Sequence, residues 1–185
     1  MPHTSFTSDQ KQQLLELART AIASHFDPRN SQKPGPEEWL EGLRATFVTL
    51  KINGNLRGCI GSIHPVRSLM EDLWHNAQAA AFQDPRFPPL DEQELDLITI
   101  ELSVLTEVQP LNVSSEAELL EVLRPGIDGL IIEDGHRKAT FLPAVWDQLP
   151  DPQQFLNQLR LKAGMPDGYW SDTMQCSIYQ AEKIV

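Results

Sequence analysis

The pair Asn53-Gly54 constrains this chain more than any other two residues. Ahead of it, residues 45–52 (ATFVTLKI) are rich in β-branched and aromatic side chains; behind it runs Leu56-Arg57-Gly58-Cys59-Ile60-Gly61. Asn-Gly accepts the positive φ that a type I′ turn requires at both central positions, and that turn matches the twist of the strands it joins. The stretch is therefore predicted to be an antiparallel hairpin. On an even pleat Arg57 and Cys59 face one way, and Leu56, Gly58 and Ile60 the other. Two glycines weaken a strand and mark a bulge or a close approach of backbone or ligand, which makes this strand the candidate site.

The pattern returns later in the chain. Residues 129–133 and 138–142 are predicted to pair through Asp134-Gly135, and Pro143 then opens a helix ending near Leu149-Pro150. Strand, turn, strand, proline, helix thus occurs twice, which suggests a weak internal duplication. The second copy carries Arg137-Lys138-Ala139-Thr140 and no Gly-Cys-x-Gly. Glycines and cysteine are then not required by the hairpin unit, which favours a functional reason for them in the first copy.

Between and around the hairpins, helical spacing of apolar residues predicts helices over residues 8–26, 65–82, 114–123 and 152–163, the last closed by Gly164. Residues 28–38, with three prolines, read as a flexible surface loop. Residues 95–105 alternate Ile98, Ile100, Leu102 and Val104 with Thr99, Glu101 and Ser103, a strand with one polar face. Residues 174–185 read as a last strand. The expected fold is α+β, a single domain over residues 1–185, with two lobes sharing a core around mainly antiparallel sheet.

Charge and cysteine usage narrow the function classes. A net charge of −11 disfavours binding to a phosphate backbone, which Lys and Arg drive by displacing counterions; no nucleic-acid partner is expected. Cys59 and Cys176 form neither a disulfide framework nor a zinc pattern, and the histidines show no metal-ligand spacing, so neither metal nor cofactor is expected. No apolar run reaches membrane-spanning length, and no basic-then-apolar leader opens the chain. A cytoplasmic protein with no membrane partner is the expectation.

The hexapeptide Leu56-Arg57-Gly58-Cys59-Ile60-Gly61 resembles the signature of the AMMECR family, whose prokaryotic members are called AmmeMemoRadiSam system protein A. The resemblance continues through Phe47-Val48-Thr49-Leu50, Asp84-Pro85-Arg86-Phe87-Pro88-Pro89-Leu90, Ile100-Glu101-Leu102-Ser103-Val104-Leu105, Pro125-Gly126-Ile127-Asp128-Gly129-Leu130, Phe141-Leu142-Pro143 and Leu159-Arg160-Leu161-Lys162-Ala163-Gly164. Residues 45–165 carry it best. It implies an α+β fold of two lobes and association with a Memo-like protein and a radical-SAM protein. It brings no settled activity with it.

The candidate chemistry is therefore weighed residue by residue. Cys59 is the candidate nucleophile, with Arg57 two residues away to favour its thiolate; a buried cysteine is otherwise an inert small hydrophobe. Glu101 is the candidate acid or base and Ser103 a hydrogen-bond donor, if their strand lies beside that of Cys59; a solvated face is the plainer reading. Arg86 stands in a proline-stiffened segment, either paired with Asp84 or held for a ligand anion. Gly58 and Gly61 space like a P-loop or a KH loop and fit neither. What survives is that N–H groups near Gly61 and the following helix would hold a carboxylate or phosphate. Trp146, Tyr169 and Trp170 read as core or interface anchors. Two functions remain open: a cleft for a small anionic molecule or a peptide, acted on through Cys59, or a non-catalytic module whose signature shapes a partner surface.

Overall fold

The computed structural model describes residues 5–35 and 37–185. The chain divides into two compact units: the first runs to Thr106 and takes back Glu182–Val185, and the second is Glu107–Ala181. Each has its own buried cluster of hydrophobic side chains, so the single shared core expected from the sequence is replaced by two.

The first unit opens with α1 (Ser8–Ala23), capped by Thr7, whose hydroxyl accepts from the Gln10 N–H while the Gln10 side chain accepts from the Thr7 N–H. A short α2 (Glu38–Glu41) precedes β1 (Thr46–Ile52) and β2 (Asn55–Gly61), which pair antiparallel across Asn53-Gly54. Both turn residues have positive φ, the type I′ pattern. Then follow α3 (Leu69–Phe82), a 3-10 turn at Glu92–Glu94, and β3 (Ile98–Leu105), antiparallel to β1. The sheet has four strands in the order β2, β1, β3, β8. Leu14, Leu17 and Ile22 of α1 and Leu69, Leu73, Ala77 and Ala80 of α3 pack with Val48, Leu50, Ile100 and Leu102 of the sheet. The opposite face carries Thr49, Lys51, Cys59, Glu101 and Ser103.

The second unit holds β4 (Gln109–Leu111), α4 (Glu116–Val122), β5 (Gly129–Asp134), β6 (Arg137–Phe141), α5 (Pro152–Lys162) and β7 (Gln175–Tyr179). Its four strands run in the order β4, β7, β5, β6. Trp146 stacks on Phe155 with ring centroids 3.8 Å apart and donates its Nε1–H to the Asp128 carbonyl, which makes it a core anchor.

Several elements differ from expectation for physical reasons, and one strand, β4, was not expected. The second turn is Gly135-His136, because Asp134 and Arg137 are the last strand pair, and only Gly135 has positive φ. Pro143 opens only a 3-10 turn, Pro143–Asp147. Residues 174–185 split at Gln180 into β7 and β8 (Ala181–Ile184), which join different sheets. The strand β4 contains Pro110 and sits at a sheet edge, where a residue without an N–H is tolerated.

Candidate functional site

The register of β2 decides where its side chains go. Thr49 pairs with Cys59 and Leu50 with Gly58, but Lys51 pairs with Leu56, so Arg57 is an extra residue, a β-bulge. A bulge breaks the alternation. Leu56, opposite Lys51, therefore falls on the face of Cys59 and across the sheet from Gly58, while the bulged Arg57 has no cross-strand partner to set its face. The even pleat expected from the sequence stops one residue short of the glycine.

Both glycines are filled by neighbours. A Cβ on Gly58 would run into the carbonyl oxygen of Ala80, so α3 lies directly on the strand there. A Cβ on Gly61 would run into the ring of Phe47, its cross-strand partner. The small-residue end of α3 and the missing side chain at Gly58 are two halves of one contact. Nor does Gly61 lead into a helix N-terminus: α3 begins at Leu69, where Ser68 caps the Glu71 N–H.

Cys59 lies on the other face, half-buried, with Sγ 3.2 Å from Thr49 Oγ1. Thr49 is in turn the register partner of Glu101, so Cys59, Thr49 and Glu101 form one cross-strand row. Because β1 stands between β2 and β3, the thiol and the carboxylate are separated by two strand spacings, about 10 Å of backbone. β3 is therefore not the immediate neighbour of the Cys59 strand, the arrangement weighed from the sequence. Glu101 instead pairs with Lys51 at 2.7 Å and Lys183 at 3.5 Å, and the Lys51 hydrogen bond holds its carboxyl below the usual range. It is an ionised acceptor. Ser103 sits in the next row with Phe47 and Gly61.

The two arginines are both engaged at the outer edge of β2. Arg57 forms a bidentate pair with Glu94, both bonds 2.9 Å, and donates to the Pro88 carbonyl at 3.0 Å; its side chain is 12% exposed. Arg86 forms a bidentate pair with the buried Asp84, at 3.0 and 2.7 Å, the ion pair weighed from the sequence. The same pair holds Cys59 through its backbone. The Cys59 N–H donates to Asp84 Oδ2 at 2.9 Å, and Arg86 donates to the Cys59 carbonyl at 3.3 Å. Arg86, with its other bonds, keeps the Asp84 carboxyl well below the usual range. The Phe87 ring lies near both guanidinium groups, at 6.0 Å from Arg57 and 5.5 Å from Arg86.

Behind the sheet is a buried polar network absent from the sequence reading. Asp72 Oδ2 accepts from the Thr46 N–H, the Thr46 hydroxyl and Asn76; Oδ1 accepts from Ser62 and Arg67. It ties α3 to the start of β1 and to the segment leaving β2. A signal existed: Asp72 and Asn76 fall on the same helical stripe as Leu69, Leu73 and Ala80, where a polar residue must find partners.

Fold and site together define a class: an α+β protein of two four-stranded sheets, with a cysteine on a polar sheet face and its strand edge held by an ion pair. The chain belongs to the AMMECR1 family, whose model matches residues 15–184. It is 38% identical to a protein of Methanothermobacter thermautotrophicus over 98% of this chain and 97% of that one. It is 41% identical to a protein of Methanocaldococcus jannaschii over 84% of this chain and 79% of that one. The crystal structure of an uncharacterized protein from Pyrococcus horikoshii shares the fold, with TM-score 0.82 and 33% identity over 92% of this chain and 88% of that one. Among the described residues no helix is long and apolar enough to cross a membrane, and no group of acidic, histidine and cysteine side chains is disposed to hold a metal.

Proposed function

We propose that the first unit binds a small anionic molecule or a peptide segment on the polar face of its sheet, with Cys59 as the reactive group. The observation that supports this is the half-buried Cys59, its sulfur 3.2 Å from the Thr49 hydroxyl, in one row with Glu101 and its two lysines. A hydroxyl beside sulfur stabilises a thiolate by donating to it, and the lysines give the row attraction for an anion. Glu101, ionised and distant from sulfur, is a ligand-orienting acceptor in this reading; Ser103 extends the polar face. Arg57, Gly58, Gly61 and Arg86 build the strand that presents Cys59. The family resemblance supports a place for this site in a system with a Memo-like and a radical-SAM protein, in the cytoplasm.

The test is alkylation of the purified protein by iodoacetamide, with and without a small-molecule extract of cells, read by peptide mass spectrometry. Concentration-dependent protection of Cys59 that Glu101→Gln weakens supports the reading; labelling indifferent to the extract and to Glu101→Gln contradicts it. A second reading has its own support. Gly58 and Gly61 are consumed by packing and Arg57 by an internal ion pair, as in a non-catalytic interaction module. Under that reading Cys59→Ala leaves partner binding unchanged.

A further inference from the structure

We infer that Asp84 and Arg86 are positioning residues for the Cys59 thiol, setting both its orientation and its charge balance; this rests on the site reading given above. The strand β2 is the edge of its sheet, so the outward backbone groups of Cys59 have no neighbouring strand to hold them. An edge strand next to a bulge is the least constrained part of a sheet. Here one ion pair supplies both missing partners: carboxylate to the Cys59 N–H at 2.9 Å, guanidinium to its carbonyl at 3.3 Å.

The pair is itself stiff. Arg86 N–H donates back to Asp84 Oδ1 at 3.1 Å across Pro85, and Asp84 is buried. Pro85, Pro88 and Pro89 offer no N–H groups, so the segment covers the edge with side chains where a strand would use backbone. Fixing N–H and C=O of Cys59 fixes its Cα–Cβ direction, which keeps Sγ against Thr49. The charged groups around Cys59 come from several elements. Lys51 and Glu101 stand on the sheet with Lys183, Arg57 and Glu94 are paired at the bulge, and Asp84 and Arg86 lie at the edge. Of these, only Asp84 and Arg86 bond directly to Cys59.

The two members of the pair therefore act on sulfur with opposite sign. Removing the carboxylate charge leaves the guanidinium at the Cys59 backbone without its counter-charge and raises the thiolate fraction; removing the guanidinium leaves the carboxylate there and lowers it. A purely structural pair behaves differently: loss of either member loosens the same edge and shifts reactivity the same way.

The experiment is the pH profile of iodoacetamide reaction at Cys59 in the full chain, with thermal melting recorded alongside. Asp84→Asn keeps an oxygen for the Cys59 N–H and is expected to move the midpoint to lower pH, speeding alkylation at neutral pH about threefold or more. Arg86→Gln is expected to move it to higher pH by a similar factor, and Arg86→Lys to restore the wild-type profile. The Arg86 side chain is 54% exposed, so the Gln and Lys variants decide the matter even if Asp84→Asn fails to fold. An unmoved profile with a lowered melting temperature, or shifts of the same sign, overturns this inference alone. A wild-type thiol that reacts only on global unfolding overturns it together with the site reading.

Discussion

The two hairpins of this protein stand at corresponding places, β2 at one edge of the first sheet and β6 at one edge of the second. Counting register pairs outward from each turn, Gly58 corresponds to Ala139 and Cys59 to Thr140, with Thr49 and Ile131 as their partners. Even a detail of the edge repeats: the Cys59 carbonyl accepts from Arg86 and the Thr140 carbonyl from Lys162. The difference lies in what the side chains do. Thr140 is buried, and its hydroxyl reaches the Leu130 carbonyl at 2.9 Å and the Tyr179 hydroxyl at 2.8 Å. Its polar atom is used up inside the fold. Cys59 has only a neighbouring hydroxyl and remains half-buried. At the corresponding position the second hairpin uses its polar side chain inside the fold, whereas the first leaves the Cys59 thiol with a neighbouring hydroxyl.

The comparison also revises the meaning of the glycines. Gly58 is required by close packing of α3, and Gly61 by the ring of Phe47. The second unit repeats the second device, with Gly129 under the ring of its register partner Tyr179. Glycine opposite an aromatic in a sheet is thus a packing solution used twice here. The absence of glycine from β6 follows from what packs on it and is no evidence that glycine in β2 serves a ligand.

The sharpest break of the comparison is a methyl group at the corresponding positions. Gly58→Ala is expected to destabilise by about 3 kcal/mol or more, because its Cβ meets backbone oxygen that cannot rotate away. Ala139→Gly is expected to cost only about 1 kcal/mol, mainly in backbone entropy. Urea denaturation of the two variants measures both. Comparable losses would mean that α3 shifts freely over β2.

Next in size is the exchange of hydroxyl for methyl. Thr140→Val removes a buried hydrogen-bonded group of the same shape and is expected to cost about 1–2 kcal/mol. Thr49→Val, half-buried beside Cys59, is expected to cost well under 1 kcal/mol, since among the described residues its hydroxyl bonds to sulfur alone. Its effect is expected on the rate of Cys59 alkylation. A large stability loss at Thr49 would instead make the row part of the packed structure.

The smallest effect is acid sensitivity at the second turn. Asp134 accepts from the Ser171, Thr173 and Tyr169 hydroxyls, and those bonds lower its carboxyl to about 2. A carboxyl depressed on folding stabilises above its unfolded value near 3.8, and the contribution is lost as pH falls from there through about 2. Asp134→Asn should therefore narrow the gap in urea midpoint between pH 7 and pH 2.5. An unchanged gap would show that the hydroxyl bonds survive protonation.

Much of this fold was legible in the sequence, and what was missed has specific causes. The Asn53-Gly54 turn, the polar face of β3 and the Asp84–Arg86 pair follow from local chemistry: turn φ, period-two alternation, opposite charges two residues apart. The glycines signalled a bulge only as one of two readings, and its place at Arg57 was not legible, because the extra residue is defined by the partner strand's register. The position of β1 between Cys59 and Glu101 is a matter of strand order, which alternation within a strand does not contain. The Asp72 network was readable as polar residues on an apolar stripe, whereas its partners Thr46 and Ser62 come from other elements.

The central claim is that the Cys59 thiol of the first hairpin can be reached where the corresponding Thr140 hydroxyl is used inside the fold, and the protein carries its own control. Cys176 is buried in the second unit, and burial pushes its thiol up to about 11. Native protein treated with iodoacetamide at neutral pH, digested and quantified by mass spectrometry, compares the two directly. Cys59 is expected to be modified about tenfold faster than Cys176 or more, without denaturant. Equal rates, or modification of Cys59 only when the protein unfolds, would contradict the claim.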